Sequence, residues 1–156
     1  MIRKESEAVL NMLLVRQFND ILKIEGKVLK EGEFNDLSVT EMHIIEAIGI
    51  DRELTMSEVA NDLDITVGTL TTAINKLIKK EYVERRRIEE DRRVVMIELT
   101  EKGTLAYKVH EKFHEEMIDH VLEELGVSEE EVLISSLDKL DKFFQKKLEL
   151  MKSKEN

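Results

Sequence analysis

The residues best suited to recognition chemistry lie in a short stretch rich in hydroxyl groups, residues 66–76. In the major groove of DNA, an asparagine amide can form two hydrogen bonds with adenine, and a threonine methyl group can contact thymine. The backbone N–H groups at a helix start can bind a phosphate. The candidate DNA-contacting residues of this stretch are Thr66, Gly68, Thr69, Thr71, Thr72, Asn75 and Lys76.

The alternative interpretation of these residues is an ordinary solvated helix face, and for the threonines alone it is the simpler one. Threonine is nevertheless an unfavourable choice for an exposed helix position, because β-branched side chains weaken helices. Lysine or glutamate would suit a merely solvated face better. The abundance of hydroxyl groups therefore favours a role in binding.

A second candidate cluster, formed by Asp91, Arg92 and Arg93, lies in the turn between two predicted strands. An arginine at the tip of a hairpin can enter a narrow minor groove, where the negative potential of DNA is enhanced. Asp91 is close enough in sequence to hold such an arginine in position. The alternative is a soluble charged turn that blunts an edge strand. Because the sequence also predicts a helix-turn-helix before this hairpin, as argued from the connection between the third and fourth helices below, we favour the DNA-binding interpretation.

The histidines indicate a different chemistry. His110 and His114 are four residues apart, so they share one face of a predicted helix. Together with His43 and Glu25 they would offer imidazole and carboxylate ligands suited to zinc. The alternative, which we favour, is that they are polar pocket or surface residues. Zinc-dependent tightening of DNA binding would support the metal site.

Composition excludes several classes of protein. The chain has no cysteine, which excludes disulfides, thiolate metal sites and cysteine catalysis. Its start lacks the apolar core of a signal peptide, and no apolar run approaches the roughly 18 residues that span a membrane. We therefore expect a cytoplasmic protein with no membrane contact.

An enzyme is disfavoured, because the sequence has no Ser-His-Asp order, phosphate loop or glycine-rich fingerprint. Six glycines and no proline leave little loop to carry an active site. A purely structural coiled coil would account for the first and last helices. It would not account for the hairpin or for the short helices in the middle of the chain.

The charge distribution supports DNA binding locally, although the net charge of −10 opposes it. Residues 66–100 hold eight Lys or Arg against six acidic residues, a net charge of +2. The remainder holds 16 against 28, a net charge of −12. The positive charge is thus concentrated in one stretch, and the local field matters more than the net charge for binding a polyanion.

Short sequence motifs indicate where several helices start. A hydroxyl residue followed three positions later by glutamate, the capping box, occurs at Ser38, Thr55 and Ser128, each before an apolar-periodic segment. The fourth helix is predicted to start at Thr66, and Thr100 is predicted to cap the fifth helix. The first helix is predicted over about residues 6–30 from its apolar period.

The remaining elements complete the predicted fold. Residues 83–87 and 94–99 alternate with a period of two and predict a hairpin. Asp64 and Ile65 alone connect the third and fourth helices, a tight turn typical of a helix-turn-helix that places its second helix in the major groove. The fold class predicted is mainly α with a small β-hairpin wing, a winged helix-turn-helix flanked by long terminal helices.

At this level of detail the sequence resembles the MarR family of winged-helix regulators. The Asp-Arg-Arg wing followed by Leu-Thr-x-Lys-Gly is specific as a combination. The similar segments are residues 54–63, 65–77, 81–85, 90–94 and 99–103.

The resemblance implies a homodimer that straddles a pseudo-palindromic operator, represses transcription and responds to a ligand. Residues 1–32 and 101–156 would form the dimerisation region, and residues 33–100 the DNA-binding region. The fourth helix would be the recognition helix. Arg93, with Asp91 as its partner, would make the minor-groove contact.

Within the family, the sequence is similar to the repressors of fatty-acid biosynthesis genes. The segments that carry this likeness are residues 34–43, 67–72, 90–95 and 110–114. It implies tighter DNA binding with a long-chain acyl group on acyl carrier protein, and no required cofactor. Zinc-sensing members use a comparable set of His and Glu, but the fatty-acid subgroup shares these histidines. A regulator of stress or drug response that senses a small ligand is the further alternative.

Overall fold

The computed structural model describes residues 2–153, which form six helices and a small antiparallel sheet. The helices are α1 (Ile2–Glu31), α2 (Val39–Ile48), α3 (Met56–Asp62), α4 (Val67–Lys79), α5 (Glu101–Glu123) and α6 (Val127–Lys152). The strands are β1 (Leu54–Thr55), β2 (Val83–Arg87) and β3 (Val95–Leu99). The predicted fold class and order of elements are confirmed, and β1 is an addition that the sequence did not predict.

Hydroxyl side chains cap three helices of the predicted DNA-binding region. The Ser38 hydroxyl accepts a hydrogen bond from the Glu41 N–H at 3.2 Å, and the Glu41 carboxylate accepts the Ser38 N–H at 2.9 Å. Thr55 forms the equivalent capping box. Thr66 accepts the Thr69 N–H at 3.1 Å. The predicted capping boxes at Ser38 and Thr55 are confirmed, Thr66 is found as a further cap, and each fixes where its helix starts.

The predicted capping box at Ser128 is wrong. Helix α6 begins at Val127, after Gly126 as the N-cap residue. The Glu129 carboxylate accepts the Gly126 N–H at 2.8 Å, so the glutamate that closes the first turn is Glu129. A glycine without a side-chain acceptor can fill the N-cap position when a glutamate three residues later satisfies its N–H.

Two residues in the left-handed region end α3 and α4. Asp64 has φ of 54° and Glu81 has φ of 66°. Ile65 N–H donates to the carbonyl of Ala60 at 3.0 Å, and Tyr82 N–H donates to that of Leu77 at 2.9 Å. Each pattern is a Schellman motif, which reverses the chain in a single residue. The turn between α3 and α4 is therefore as tight as the sequence predicted.

The sheet and the short helices enclose one apolar core. Strand β3 lies between β1 and β2, with Val83 opposite Leu99 and Arg87 opposite Val95. Helix α4 contributes its buried face to this core. Burying each large aliphatic side chain stabilises the fold by about 1.5–3 kcal/mol. The fully buried side chains include Met42, Ile45, Ile48, Val59, Leu70, Ile74, Leu77, Tyr82, Val83 and Ile97.

The Leu-Thr-Glu-Lys-Gly segment attaches the start of α5 to the end of α4. The Thr100 hydroxyl donates to the Glu81 carbonyl at 2.6 Å and accepts the Gly103 N–H at 3.0 Å. A Cβ on Gly103 would lie 2.0 Å from the Tyr82 carbonyl oxygen. Only glycine permits the start of α5 to approach the backbone of Tyr82 this closely, which explains why the segment ends in glycine.

The described chain divides into two compact units, one ending at His110 and the other starting at Glu111. In the first unit, much of α1 exposes large apolar side chains, including Phe18, which is 67% exposed. In the second, none of the residues of α6 is buried. Among the described residues, no helix is both long and apolar enough to cross a membrane.

Candidate nucleic-acid interface

Helix α4 presents the predicted recognition residues on the side opposite its core contacts. Leu70, Ile74 and Leu77 are fully buried and anchor the helix. Thr71 is half-buried, and the other predicted residues are exposed. The exposed members of the predicted set are Thr66, Gly68, Thr69, Thr72, Asn75 and Lys76. The structure thus places six of the seven on α4 and the seventh, Thr66, at its N-cap.

The threonine hydroxyls of α4 are bonded back to the helix. The Thr71 hydroxyl donates to the Val67 carbonyl at 2.7 Å, and the Thr72 hydroxyl donates to the Gly68 carbonyl at 3.3 Å. Each hydroxyl has one hydrogen to donate, so its oxygen is left as an acceptor. Such an oxygen can accept from the exocyclic amino group of adenine or cytosine in the major groove.

The N-terminus of α4 is electrostatically suited to a phosphate. Of the six described helices, α4 is the one without an acidic residue in its first turn. Its last turn carries Lys76 and Lys79. The positive end of the helix dipole is therefore not offset by a local carboxylate and remains available to an anion.

The wing places its arginine in a defined orientation. Arg93 donates from Nε to Oδ1 of Asp91 at 3.0 Å and from Nη2 to Oδ2 at 3.2 Å. The Arg93 backbone N–H donates to the same Oδ1 at 3.0 Å. These bonds lower the pKa of the Asp91 carboxyl below its usual value, the Arg93 side chain contributing most. Arg93 is 92% exposed, and the neighbouring Arg92 is exposed as well.

Sequence reasoning missed one residue of this surface, Arg85 in β2. Its Nη2 donates to Oδ1 of Asn75 at 2.7 Å, linking the strand to α4. The amide oxygen that recognition of adenine by two hydrogen bonds requires is therefore turned toward Arg85, where it accepts one hydrogen bond. The run of three arginines in β2 was visible in the sequence, but the pairing depends on the packing of the strand against α4.

Helix α4 lies between two open grooves. On one side, a groove of about 470 Å³ is lined by Val67 and Thr71 together with Arg85 and Arg93. On the other, a groove of about 810 Å³ is lined by Thr69, Thr72, Lys76 and other residues that include Lys30. The helix is consequently a ridge with space on both flanks, a shape that can enter the major groove without a steric clash from its neighbours.

Three of the four predicted metal-ligand candidates are brought together in the first unit. His43 Nε2 lies 3.3 Å from Glu25 Oε2, and His110 Nε2 lies 3.6 Å from Glu25 Oε1. Glu25 and His110 are buried. Glu46, which sequence reasoning missed, lies 3.3 Å from His110 Nε2. His114 lies one turn further along α5, in the second unit, with its ring 5.3 Å from that of Phe113.

Glu46 completes a group of donors whose types suit a metal ion. Potential ligand atoms of His43, Glu46 and His110 all lie within 4.8 Å of one another. Imidazole nitrogens and carboxylate oxygens are ligands that zinc accepts. The signal for Glu46 was present in the sequence, because it follows His43 by three residues and shares a helix face with it.

A ridge-forming helix after a tight turn, followed by a hairpin with an oriented arginine at its tip, defines a winged helix-turn-helix protein. The sequence model of the MarR family matches residues 37–95. The crystal structure of FabT from Streptococcus pneumoniae in complex with DNA is similar to this chain, with a TM-score of 0.86 and 38% sequence identity. This similarity covers 90% of this chain and 98% of that chain.

Two curated relatives are similar over a shorter range. The HTH-type transcriptional regulator SarZ of Staphylococcus aureus (strain USA300) is 38% identical over 84 residues, which cover 54% of this chain and 55% of SarZ. The HTH-type transcriptional regulator PchR of Bacillus subtilis (strain 168) is 27% identical over 77 residues, or 49% of this chain and 46% of PchR. The chain thus spans about half the length of the curated relatives it matches.

The chain belongs to the MarR family. The predicted resemblance is confirmed, including the likeness to one particular branch, because FabT matches along nearly its whole length. The curated relatives that the chain matches are transcriptional regulators and not enzymes. The coiled-coil alternative is excluded by the fold.

Proposed function

We propose that this protein is a homodimeric repressor that binds a pseudo-palindromic DNA operator. The observation that carries the proposal is the combination of the α4 ridge with the Arg93 wing. The ridge offers hydroxyl, amide and ammonium groups to the major groove, and the wing offers a guanidinium to the adjacent minor groove. The similarity to FabT, whose structure contains DNA, supports the same conclusion.

The proposed dimer region comprises residues 1–32 and 101–156, and residues 33–100 bind DNA. Support comes from apolar side chains that the described chain leaves exposed on α1 and on α6. Monomeric proteins rarely expose extended apolar surface, and a 26-residue helix without a buried residue needs a partner surface. The large apolar side chains exposed on α6 are Val127, Val132, Leu133, Ile134, Leu137, Phe143, Phe144, Leu148, Leu150 and Met151.

We propose that the regulated genes are those of fatty-acid biosynthesis and that long-chain acyl carrier protein is the corepressor. The sequence resemblance to that branch of the family supports this assignment, as does the match to FabT over 98% of its length. The acyl chain acts as effector, and no cofactor is needed for DNA binding.

A zinc-responsive regulator is the second candidate, because a specific cluster favours it. Glu25 and His110 are buried together, with His43 and Glu46 in contact range. Burying carboxylate and imidazole groups side by side is costly unless they are paired or bind a metal. In this candidate, His43, Glu46 and His110 hold the ion, with Glu25 as a further donor.

The experiment is a titration of fluorescent duplex DNA from the gene's own promoter and from fatty-acid synthesis promoters. The protein is tested alone, with long-chain acyl carrier protein, and with zinc or a chelator. The lipid-feedback proposal predicts salt-dependent binding that the acylated carrier protein tightens and the free carrier protein does not. Binding that requires zinc, and is lost in a His110→Ala variant, would transfer the function to metal response. Failure to bind any of these DNAs would contradict the repressor proposal.

A further inference from the structure

The contact between Arg85 and Asn75 fixes which end of the asparagine amide is available. A guanidinium carries donors and no acceptor, so the atom 2.7 Å from Arg85 Nη2 must be the amide oxygen of Asn75. The amide nitrogen, with its two hydrogens, then forms the other end of the group. In this arrangement Asn75 turns its two amide hydrogens away from Arg85 as donors for a ligand, and one lone pair of its oxygen is already used by Arg85.

The backbone of Arg85 is fixed by the sheet, which places the start of its side chain at a defined position beside α4. It occupies the middle of β2, where it pairs with Ile97 in the central strand β3. Its neighbour Arg86 is engaged elsewhere, with its Nη2 2.5 Å from a carboxylate oxygen of Glu53. Adjacent residues of a strand point to opposite faces, so the two arginines have separate roles.

We propose that Arg85 is a positioning residue that converts Asn75 from a reader of adenine into a reader of guanine. This inference rests on the proposed function, in which α4 enters the major groove. Guanine presents two acceptors there, N7 and O6, whereas adenine presents the acceptor N7 and a donating amino group. An Asn75 that turns its amide nitrogen toward the base matches guanine and opposes the adenine amino group.

The contact becomes stronger when DNA binds. Asn75 and Arg85 are both exposed in the free protein, where water competes for their hydrogen bond. DNA in the groove excludes that water, and electrostatic interactions strengthen in the resulting low-dielectric environment. Arg85 also lines the groove beside Arg93, so its charge stays close to the phosphates while its Nη2 holds the amide.

The test compares base preference in four proteins: the wild type, Arg85→Met, Arg85→Lys and Arg86→Met. An Asn75→Ala variant first identifies the base pair at which preference is lost. Operators with guanine or adenine at that position are then titrated at one salt concentration. Arg86→Met is the matched control, because it removes the same charge from the opposite face of the same strand.

The wild type is expected to favour guanine about fivefold, the equivalent of one hydrogen bond. In Arg85→Met the amide is free to rotate and form two hydrogen bonds with adenine. The ratio of the affinity for the guanine operator to that for the adenine operator is then expected to fall by tenfold or more, so that adenine is preferred. Arg85→Lys keeps a donor and retains the guanine preference, and Arg86→Met retains it too. An Arg85→Met protein that keeps the wild-type ratio would overturn the inference while leaving the proposed function intact. A wild type that binds no DNA specifically would overturn both.

Discussion

Replacing Arg93 with alanine is expected to weaken operator binding without altering the fold. The side chain is 92% exposed, and its partner in the structure is Asp91, an exposed carboxylate two residues away. Nothing in the core depends on this pair. In the proposed dimer the substitution removes two guanidinium groups from the minor groove, one from each wing.

The size of the loss follows from the number of contacts. At about 1 kcal/mol for each wing, affinity falls by about thirtyfold. Each lost ionic contact also reduces the slope of log affinity against log salt by about 0.9, or about 1.8 for the dimer. The loss of affinity of Arg93→Ala relative to the wild type should therefore be about twelvefold larger at 50 mM salt than at 200 mM salt.

The assay is fluorescence anisotropy across that salt range, with circular dichroism melting to verify the fold. Arg86→Ala is the matched control, because it removes an equal charge from a side chain that is paired with Glu53. An Arg93→Ala protein with wild-type affinity and an unchanged salt slope would refute the assignment of the wing as a DNA contact. A lower melting temperature would instead show that Arg93 supports the fold.

Three further predictions concern stability and base recognition. Gly103→Ala should destabilise the protein by about 1–3 kcal/mol in denaturant titration, because a Cβ there would meet the Tyr82 carbonyl at 2.0 Å. Gly26→Ala, whose Cβ would have its nearest neighbour at 3.7 Å, should be neutral or stabilising, and equal effects would contradict this reasoning. Burial raises the pKa of Glu41, but hydrogen bonds from Lys80 and from the backbone of Ser38 outweigh this and lower it overall. The contribution of ionised Glu41 to folding stability is therefore present above about pH 4.5 and is lost as the pH falls through the lowered pKa. The stability of Glu41→Gln should thus depend less on pH in this acid range, and an unchanged profile would count against the ion pair. Thr72→Ala should relax sequence preference at one base pair by about 1–3 kcal/mol in a binding-site scan, whereas a uniform loss would mean a phosphate contact.

Local chemistry made most of the fold predictable. Ser38 and Thr55 could be predicted as caps because a hydroxyl at a helix start satisfies an orphan N–H whatever the tertiary structure. The start of α6 was misplaced because two overlapping patterns compete there, and Glu129 satisfies Gly126 before Glu131 can satisfy Ser128. Strand β1 escaped prediction because two residues are too few to show a period.

The candidate site was predictable only where its parts are near in sequence. The Asp91–Arg93 clamp spans two residues, so its partners could be named in advance. Arg85 and Asn75 are ten residues apart on different elements, and no sequence period links a helix position to a strand position. The contacts among Glu25, His43 and His110 likewise depend on how three helices pack in the first unit.

The most direct test of a dimer that reads DNA with α4 is a footprint of the protein on its own promoter, read by hydroxyl-radical cleavage and by methylation interference at guanine N7. The proposed dimer is expected to give two symmetric sets of major-groove contacts whose centres lie about 10 base pairs, or a multiple of that, apart. Protection of the adjacent minor groove should disappear in Arg93→Ala. Interference in a single half-site, or protection without any major-groove interference, would contradict a dimer that reads DNA with α4.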